Sequence, residues 1–392
     1  MVNNNVYNAV MNADTTTFHS LAPLGVPCMI MRGGTSKGLY FLASDLPTEP
    51  AARNALLLEI MGSPDARQID GLGGATTLTS KVAVVSPAAS PQDGQGQGAA
   101  GHDVDYLFLQ LGVDQATVSE KQNCGNILAG VGPFAVERGL VAASGEQARV
   151  RIRMVNTDSF ATAVFPLREG VPDYRGETMI SGVPFPGARI DLEFEDIAGS
   201  STGALLPTGN PVDVIDGVAA TLIDNGMPVV VLAAADLGVT GREAPGTHED
   251  DTVLRERVER LRLEAGRLMN LGDVSHTTVP KMVLVSPPTA GGTVSTRSFI
   301  PHRVHAAIGV LAAVSVATAT LIPGTPAAAL AQTPTTPAEA APGSPAPIVI
   351  EHPTGTFSAI VDADWGAGGL EIRRAGIVRT ARKLMDGTAF GR

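Results

Sequence analysis

One apolar run occurs twice in this chain. Lys81-Val82-Ala83-Val84-Val85-Ser86-Pro87 returns as Lys281-Met282-Val283-Leu284-Val285-Ser286-Pro287, and Gly25-Val26-Pro27 returns as Gly226-Met227-Pro228. The two echoes lie about 200 positions downstream at nearly the same spacing, which favours a duplicated unit over chance. Each lysine-led run has strand length and ends at a proline. Each is followed by an apolar helix rich in Gly and Ala, from Cys124 onward in the first half and from His305 onward in the second. This pattern predicts two similar domains, each a sheet wrapped around one central helix, with a cleft between them. The length of 392 residues suits two domains, and 44 glycines with 28 prolines favour a turn-rich α+β protein over a helical bundle.

Residues 1–22 read as a loose polar tail without the pattern of a signal peptide. Residues 23–190 then make a first domain carrying the Cys124 helix. Residues 191–370 make a second, with a helix over 305–322 and a mobile insertion over 323–347. Residues 371–392 form a C-terminal segment free to return to the first domain. Pro87 to Asp103, rich in Gly, Gln, Ala and Pro, reads as a surface loop. Ala306 to Ile322 is uncharged, but its Ala, Ser and Thr content fits a buried helix better than a membrane span. Glu249 to Leu271, with alternating charges and leucines at helical spacing, reads as a solvated helix.

A net charge of −11 argues against nucleic acid or an anionic membrane as partner. Two cysteines cannot build a disulfide framework, and no Cys/His spacing marks a metal site, so no metal is expected and a reducing cytoplasm fits. There is no G-x-S-x-G, no H-E-x-x-H, and no G-x-G-x-x-G between strand and helix, which removes support for hydrolase and nicotinamide chemistry.

The candidate chemistry centres on Asn123-Cys124-Gly125-Asn126, where a loop enters an apolar helix. The positive end of the helix dipole favours a thiolate there, and the N–H groups of Cys124, Gly125 and Asn126 are free to hold a carboxylate beside the sulfur. Such a site can move a proton on a carbon acid without a cofactor. A buried, inert cysteine opening a core helix would give the same pattern. In Met31 to Gly38, Gly33 and Gly34 allow a tight turn while Arg32 and Lys37 add positive charge; the turn is either an anion cradle or a solvent-facing hairpin. Lys81 is either a partly buried base or a structural residue, as its echo Lys281 illustrates. Arg297, His302, Arg303 and His305 concentrate cations ahead of the second helix, a placement best explained by an anion. Glu351-His352-Pro353-Thr354-Gly355 offers one more loop hydroxyl as a carboxylate contact.

Taken together, Met31 to Gly38, Asp70 to Pro87, Asn123 to Val141 and Ser298 to Gly309 resemble the PrpF family of cofactor-free isomerases. The likeness runs from about Val26 to Arg382. Three longer runs, Gly62 to Gly71, Leu205 to Asn210 and Asp224 to Val230, point to the members that act on 4-oxalomesaconate in gallate degradation, and Arg297 to Arg303 belongs with them. The resemblance implies a diaminopimelate epimerase-like fold with two pseudo-symmetric domains and the site between them. It implies keto–enol interconversion of a small tricarboxylate, with isomerisation of 2-methylaconitate or methylitaconate as the alternative. A non-catalytic accessory protein to an aconitase-type enzyme is the rival from another class. No cofactor is implied, and a homo-oligomer is compatible with this reading. Lys81 and Cys124 match the family's functional pair; Thr35, Ser36, Lys37, Asn123, Gly125, Asn126, Arg297, His302 and Thr354 are the expected substrate contacts. Epimerases of this fold use a cysteine at each central helix. Here the second helix is preceded by His302, Arg303 and His305, which fits a proton shift using a different partner rather than a two-thiol mechanism. Cys28 is expected to be packing.

Overall fold

Apolar residues in the lysine-led strands fall on both faces, so each strand must be covered from two sides. The computed structural model describes residues 25–88, 101–334, 345–366 and 369–392 and shows how this is done. In the strand Lys81–Pro87, Ala83 and Val85 face the largest core cluster, while Val82 and Val84 join a separate cluster with Leu57, Ile60 and Met61. In the strand Lys281–Ser286, Val283 and Val285 face the same large cluster, and Met282 and Leu284 join one with Leu254, Val258 and Leu261. Each half therefore has one helix inside its sheet and one outside. The outer helices are Pro50–Met61 and Thr252–Leu268.

The pairing sense follows one order in both halves. In the first, Val26–Gly33 is antiparallel to Ser36–Leu42, which is parallel to Lys81–Pro87; that strand is antiparallel to Val104–Leu111, which is parallel to Gln147–Met154. In the second, Val218–Asp224, Pro228–Ala233, Lys281–Ser286, Val294–Ile300 and Ile348–His352 pair in the same alternation. The halves join where Ile190–Phe194 pairs with Gly369–Arg379. The chain then crosses back, and Ala381–Ala389 pairs with Val26–Gly33.

The inner helices are Gly125–Glu137 and Val310–Thr320. Ile127 to Ala135 and Ala312 to Ala319 are buried without interruption, as expected for helices apolar on every side. Both belong to one core cluster, with Tyr40, Phe108, Phe134 and Phe165 as its aromatic filling. Truncating Phe134, which is fully buried, would cost about 3–5 kcal/mol.

Several boundaries differ from the sequence expectation. The second inner helix starts at Val310, not at 305, because 303–304 is drawn into a short hairpin strand against Phe299 and Ile300. The helix within 249–271 is not solvated all round. It spans Thr252–Leu268, is capped by the Asp251 side chain, and buries Arg262, whose Nη1 donates to the carbonyls of Val274 and Val279. The insertion expected over 323–347 begins as a short helix, Pro326–Leu330, capped by Thr325, with Pro326 and Ala327 buried. Residues 1–22 and most of Pro87 to Asp103 lie outside the described residues, as do 335–344 of the insertion. Among the described residues no helix is long and apolar enough to cross a membrane.

Candidate active site

The first inner helix is anchored at its start. Cys124 occupies the N-cap position in extended conformation, and no side chain caps the helix, which leaves first-turn N–H groups available. Two buried tyrosines hold this turn. The Tyr40 hydroxyl donates to the Ile127 carbonyl at 2.6 Å, and the Tyr106 hydroxyl donates to that of Cys124 at 3.5 Å. Burial, reinforced by the nearby Cys124 charge, pushes both phenols well above their ordinary range, so they remain donors.

The glycine turn is pressed against this helix start. A Cβ on Gly33 would sit 2.3 Å from the Asn126 carbonyl oxygen; one on Gly34, whose φ is +50°, would sit 2.2 Å from Asn126 Oδ1. Only glycine permits that approach. Thr35 is thereby brought within 3.0 Å of Asn126 Nδ2, which donates to its Oγ1. The Arg379 Nε donates to Asn126 Oδ1 at 3.2 Å, so a chain of hydrogen bonds runs from Arg379 through Asn126 to Thr35.

These residues line a cavity of about 380 Å³ between the two inner helix starts. Asn126 and Thr35 come from the first half, and His305, Val310, His352, Thr354 and Phe357 from the second. Ser181 contributes another hydroxyl, and its Oγ accepts from the Thr356 N–H at 2.8 Å. Among the described residues no Asp or Glu lines the cavity. His305 accepts the Ala307 N–H at Nδ1, which leaves its neutral ring with a proton on Nε2 as a donor. Burial, then the Lys281 charge, holds His305 below the ordinary histidine range. His352 is lowered chiefly by burial, with further contributions from His305 and Arg297. Arg379 is thus the cation that the lining presents at neutral pH.

The structure brings together some of the expected contacts and separates others. Thr35, Asn126 and Thr354 line the cavity, the last with its hydroxyl on the Ala306 carbonyl. Gly125 faces Val310 and Ile377 beside it. Ser36 is buried with its hydroxyl unpartnered among the described residues, and Asn123 bonds Thr157 through its amide nitrogen. Lys37 lies across the hairpin from Arg32 and outside the lining. Arg297 also lies outside it, because its Nε and Nη1 are taken by the carbonyls of Glu243 and Thr296. His302 is exposed in the hairpin turn that precedes Arg303, so it is not at a helix start and does not reach the cavity. His305, three residues on, does. Lys81 is buried; its Nζ donates to Gln110 Oε1 at 2.6 Å and lies 5.1 Å from the Phe108 ring. Among the described residues no hydrogen bond joins Lys81 to Cys124. Cys28 is fully buried in the outer layer, where burial pushes its thiol up to about 12.

Residues 24–391 match the model of the PrpF protein family. The chain belongs to the PrpF family. A (4E)-oxalomesaconate Delta-isomerase of Novosphingobium sp. (strain KA1) is 58% identical over 364 residues, spanning 93% of this PrpF chain and 97% of that protein. A 4-oxalomesaconate tautomerase of Pseudomonas putida (strain KT2440) is 55% identical, spanning 92% of this chain and 95% of that one. The crystal structure of a methylitaconate-delta-isomerase superposes with a TM-score of 0.80 at 31% identity, covering 94% of this PrpF chain and 96% of that chain.

Arg379 carries no local signal of the kind that marked Cys124. A clue is present all the same: it is a lone cation inside the apolar stretch Ala375 to Ala381, where a charge needs a reason. His352 and His305 sit in segments singled out for Thr354 and His302, but only the hairpin and the loop geometry turn them inward.

Proposed function

We propose that this PrpF-family isomerase interconverts the keto and enol forms of 4-oxalomesaconate without a cofactor. The observation that carries the reading is a half-buried thiol, Cys124, at a helix start two residues before Asn126, which lines a cavity holding a buried arginine and, among the described residues, no acid. The identities of 58% and 55% to proteins named for oxalomesaconate support the substrate class. The substrate methylene lies between a ketone and a conjugated alkene, so a modest base can remove its proton if fixed donors meet the developing enolate. Cys124 and Lys81 share the acid and base work, and first-turn N–H groups of the helix meet the enolate. Thr35, Thr354 and Asn126 orient the carboxylates. In the keto-to-enol direction one proton leaves the methylene carbon and one is added to the former ketone oxygen, with no redox change.

The same proposal includes the architecture. Residues 23–190 and 191–370 form two pseudo-symmetric, diaminopimelate epimerase-like domains, with 371–392 returning to the first; the matching order of strand pairings supports this. A second reading is a double-bond shift by the same allylic proton transfer. For 2-methylaconitate or methylitaconate as substrate it is favoured by the name of the superposed structure, a methylitaconate-delta-isomerase.

The test is ultraviolet absorbance of the keto form of 4-oxalomesaconate, with 2-methylaconitate run beside it. Wild type should build the conjugated enol band rapidly, and Cys124→Ala should be slower by about 10²–10⁴-fold, the span of one acid–base group. Turnover of 2-methylaconitate alone would select the second reading. Silence on both would leave a binding protein.

A further inference from the structure

Arg379 is 7% exposed and makes no ion pair with any described residue. Its Nε donates to Asn126 and its Nη1 to the Val378 carbonyl at 2.8 Å, while Nη2 has no hydrogen-bond partner among the described residues. The guanidinium stacks 4.2 Å from the Phe357 ring centroid. Arg262, buried even more completely, is matched to the Glu259 carboxylate and to backbone carbonyls. Leaving a buried guanidinium without a carboxylate costs free energy that a purely structural arginine would not incur. The chain carries 39 acidic residues, yet none of those described lines this cavity.

We propose that Arg379 is the carboxylate-binding residue of the cavity, taking one carboxylate of the ligand through its open Nη edge while Asn126 and Phe357 hold the guanidinium plane. The planar fork fits a carboxylate in two parallel hydrogen bonds, which a point charge cannot reproduce. Burial lowers the Arg379 pKa to about 10, partly offset by the Cys124 charge, so the group stays cationic at neutral pH. The bond to Asn126, two residues after Cys124, ties the captured carboxylate to the helix start that presents the thiol. The identity of the anion rests on the tricarboxylate reading above.

The experiment is calorimetric titration of propane-1,2,3-tricarboxylate, a tricarboxylate lacking the activating ketone, into wild type, Arg379→Met and Arg379→Lys. Wild type should bind. Arg379→Met should bind about 10²-fold more weakly, with Arg379→Lys between them. Ligand-free Arg379→Met should melt no lower than wild type, since an apolar chain replaces an unpaired charge. Methylguanidinium should restore part of the binding to Arg379→Ala. No binding by wild type, equal binding by all variants, or equal competition by inorganic phosphate would overturn the proposal. A wild type that binds the probe through Arg379 but leaves 4-oxalomesaconate unchanged would defeat the tautomerase reading and leave this one standing. Turnover by Arg379→Met with unchanged KM would do the reverse.

Discussion

Lys81 and Lys281 head strands with the same pattern of neighbours: each strand runs parallel to the one before it and antiparallel to the one after. Lys81 is paired in register with Gln110, whose side chain takes its ammonium. In the second half the corresponding position beyond the Met282–Phe299 pair is Ile300, and the Lys281 ammonium has no hydrogen-bond partner among the described residues. It borders instead a small apolar cavity of about 220 Å³ with Met227, Ile300 and Leu311. The helix starts diverge likewise, with Cys124 on one side and Gly309 on the other. Duplication of the strand frame thus leaves chemistry to the residues facing it. The first half supplies the thiol, and the second supplies histidine rings and hydroxyls.

The sharpest test of that contrast is a matched pair of lysine substitutions. Lys81→Met should lower kcat by about 10²-fold or more, whereas Lys281→Met should stay within about threefold of wild type, both read in the absorbance assay. Equal losses would mean that the halves share the acid–base work. A second pair probes one segment. His305→Ala should cost roughly tenfold in kcat/KM through a lost cavity donor, and the exposed His302→Ala should cost nothing measurable.

The smallest expected effect is on stability. His305 and His352 both titrate below the ordinary histidine value of 6.5 in the folded protein. The unfolded chain therefore binds more protons as pH falls through that region. Their contribution is fully present above about 6.5 and is lost on acidification toward their depressed folded values. Melting temperature between pH 7.5 and 5.5 should fall less in His305→Gln/His352→Gln than in wild type, by about 1 kcal/mol or less in free energy because both rings are partly exposed. An identical slope in the two proteins would show that the cavity does not hold the rings neutral.

Much of this arrangement was legible in the sequence. The lysine-led repeat gave the strand frame because strands buried on both faces write themselves as unbroken apolar runs. The Cys124 start was readable because Asn-Cys-Gly-Asn precedes an apolar helix, and Thr35 was readable because Gly33 and Gly34 mark a tight turn. His302 was not distinguishable from His305, since a hairpin closing at Pro301 and His302 leaves no glycine or asparagine signature there. Arg379 was hidden for a different reason. Its role depends on a strand that joins the two halves, and no local pattern reveals which cavity such a strand will border.

The return of the chain to its own beginning has a consequence for how the molecule is made. Arg32 donates to the carbonyl of Thr380, 348 positions away, and the edge of Val26–Gly33 is covered by Ala381–Ala389. While the ribosome is still translating the second half, that edge stands open, with a row of unsatisfied backbone groups that invites pairing with other nascent chains. The early half carries the thiol through this whole interval. Arg379 emerges just before the closing strand, so the buried cation of the cavity and the sealing of the edge are completed by the same late stretch of translation.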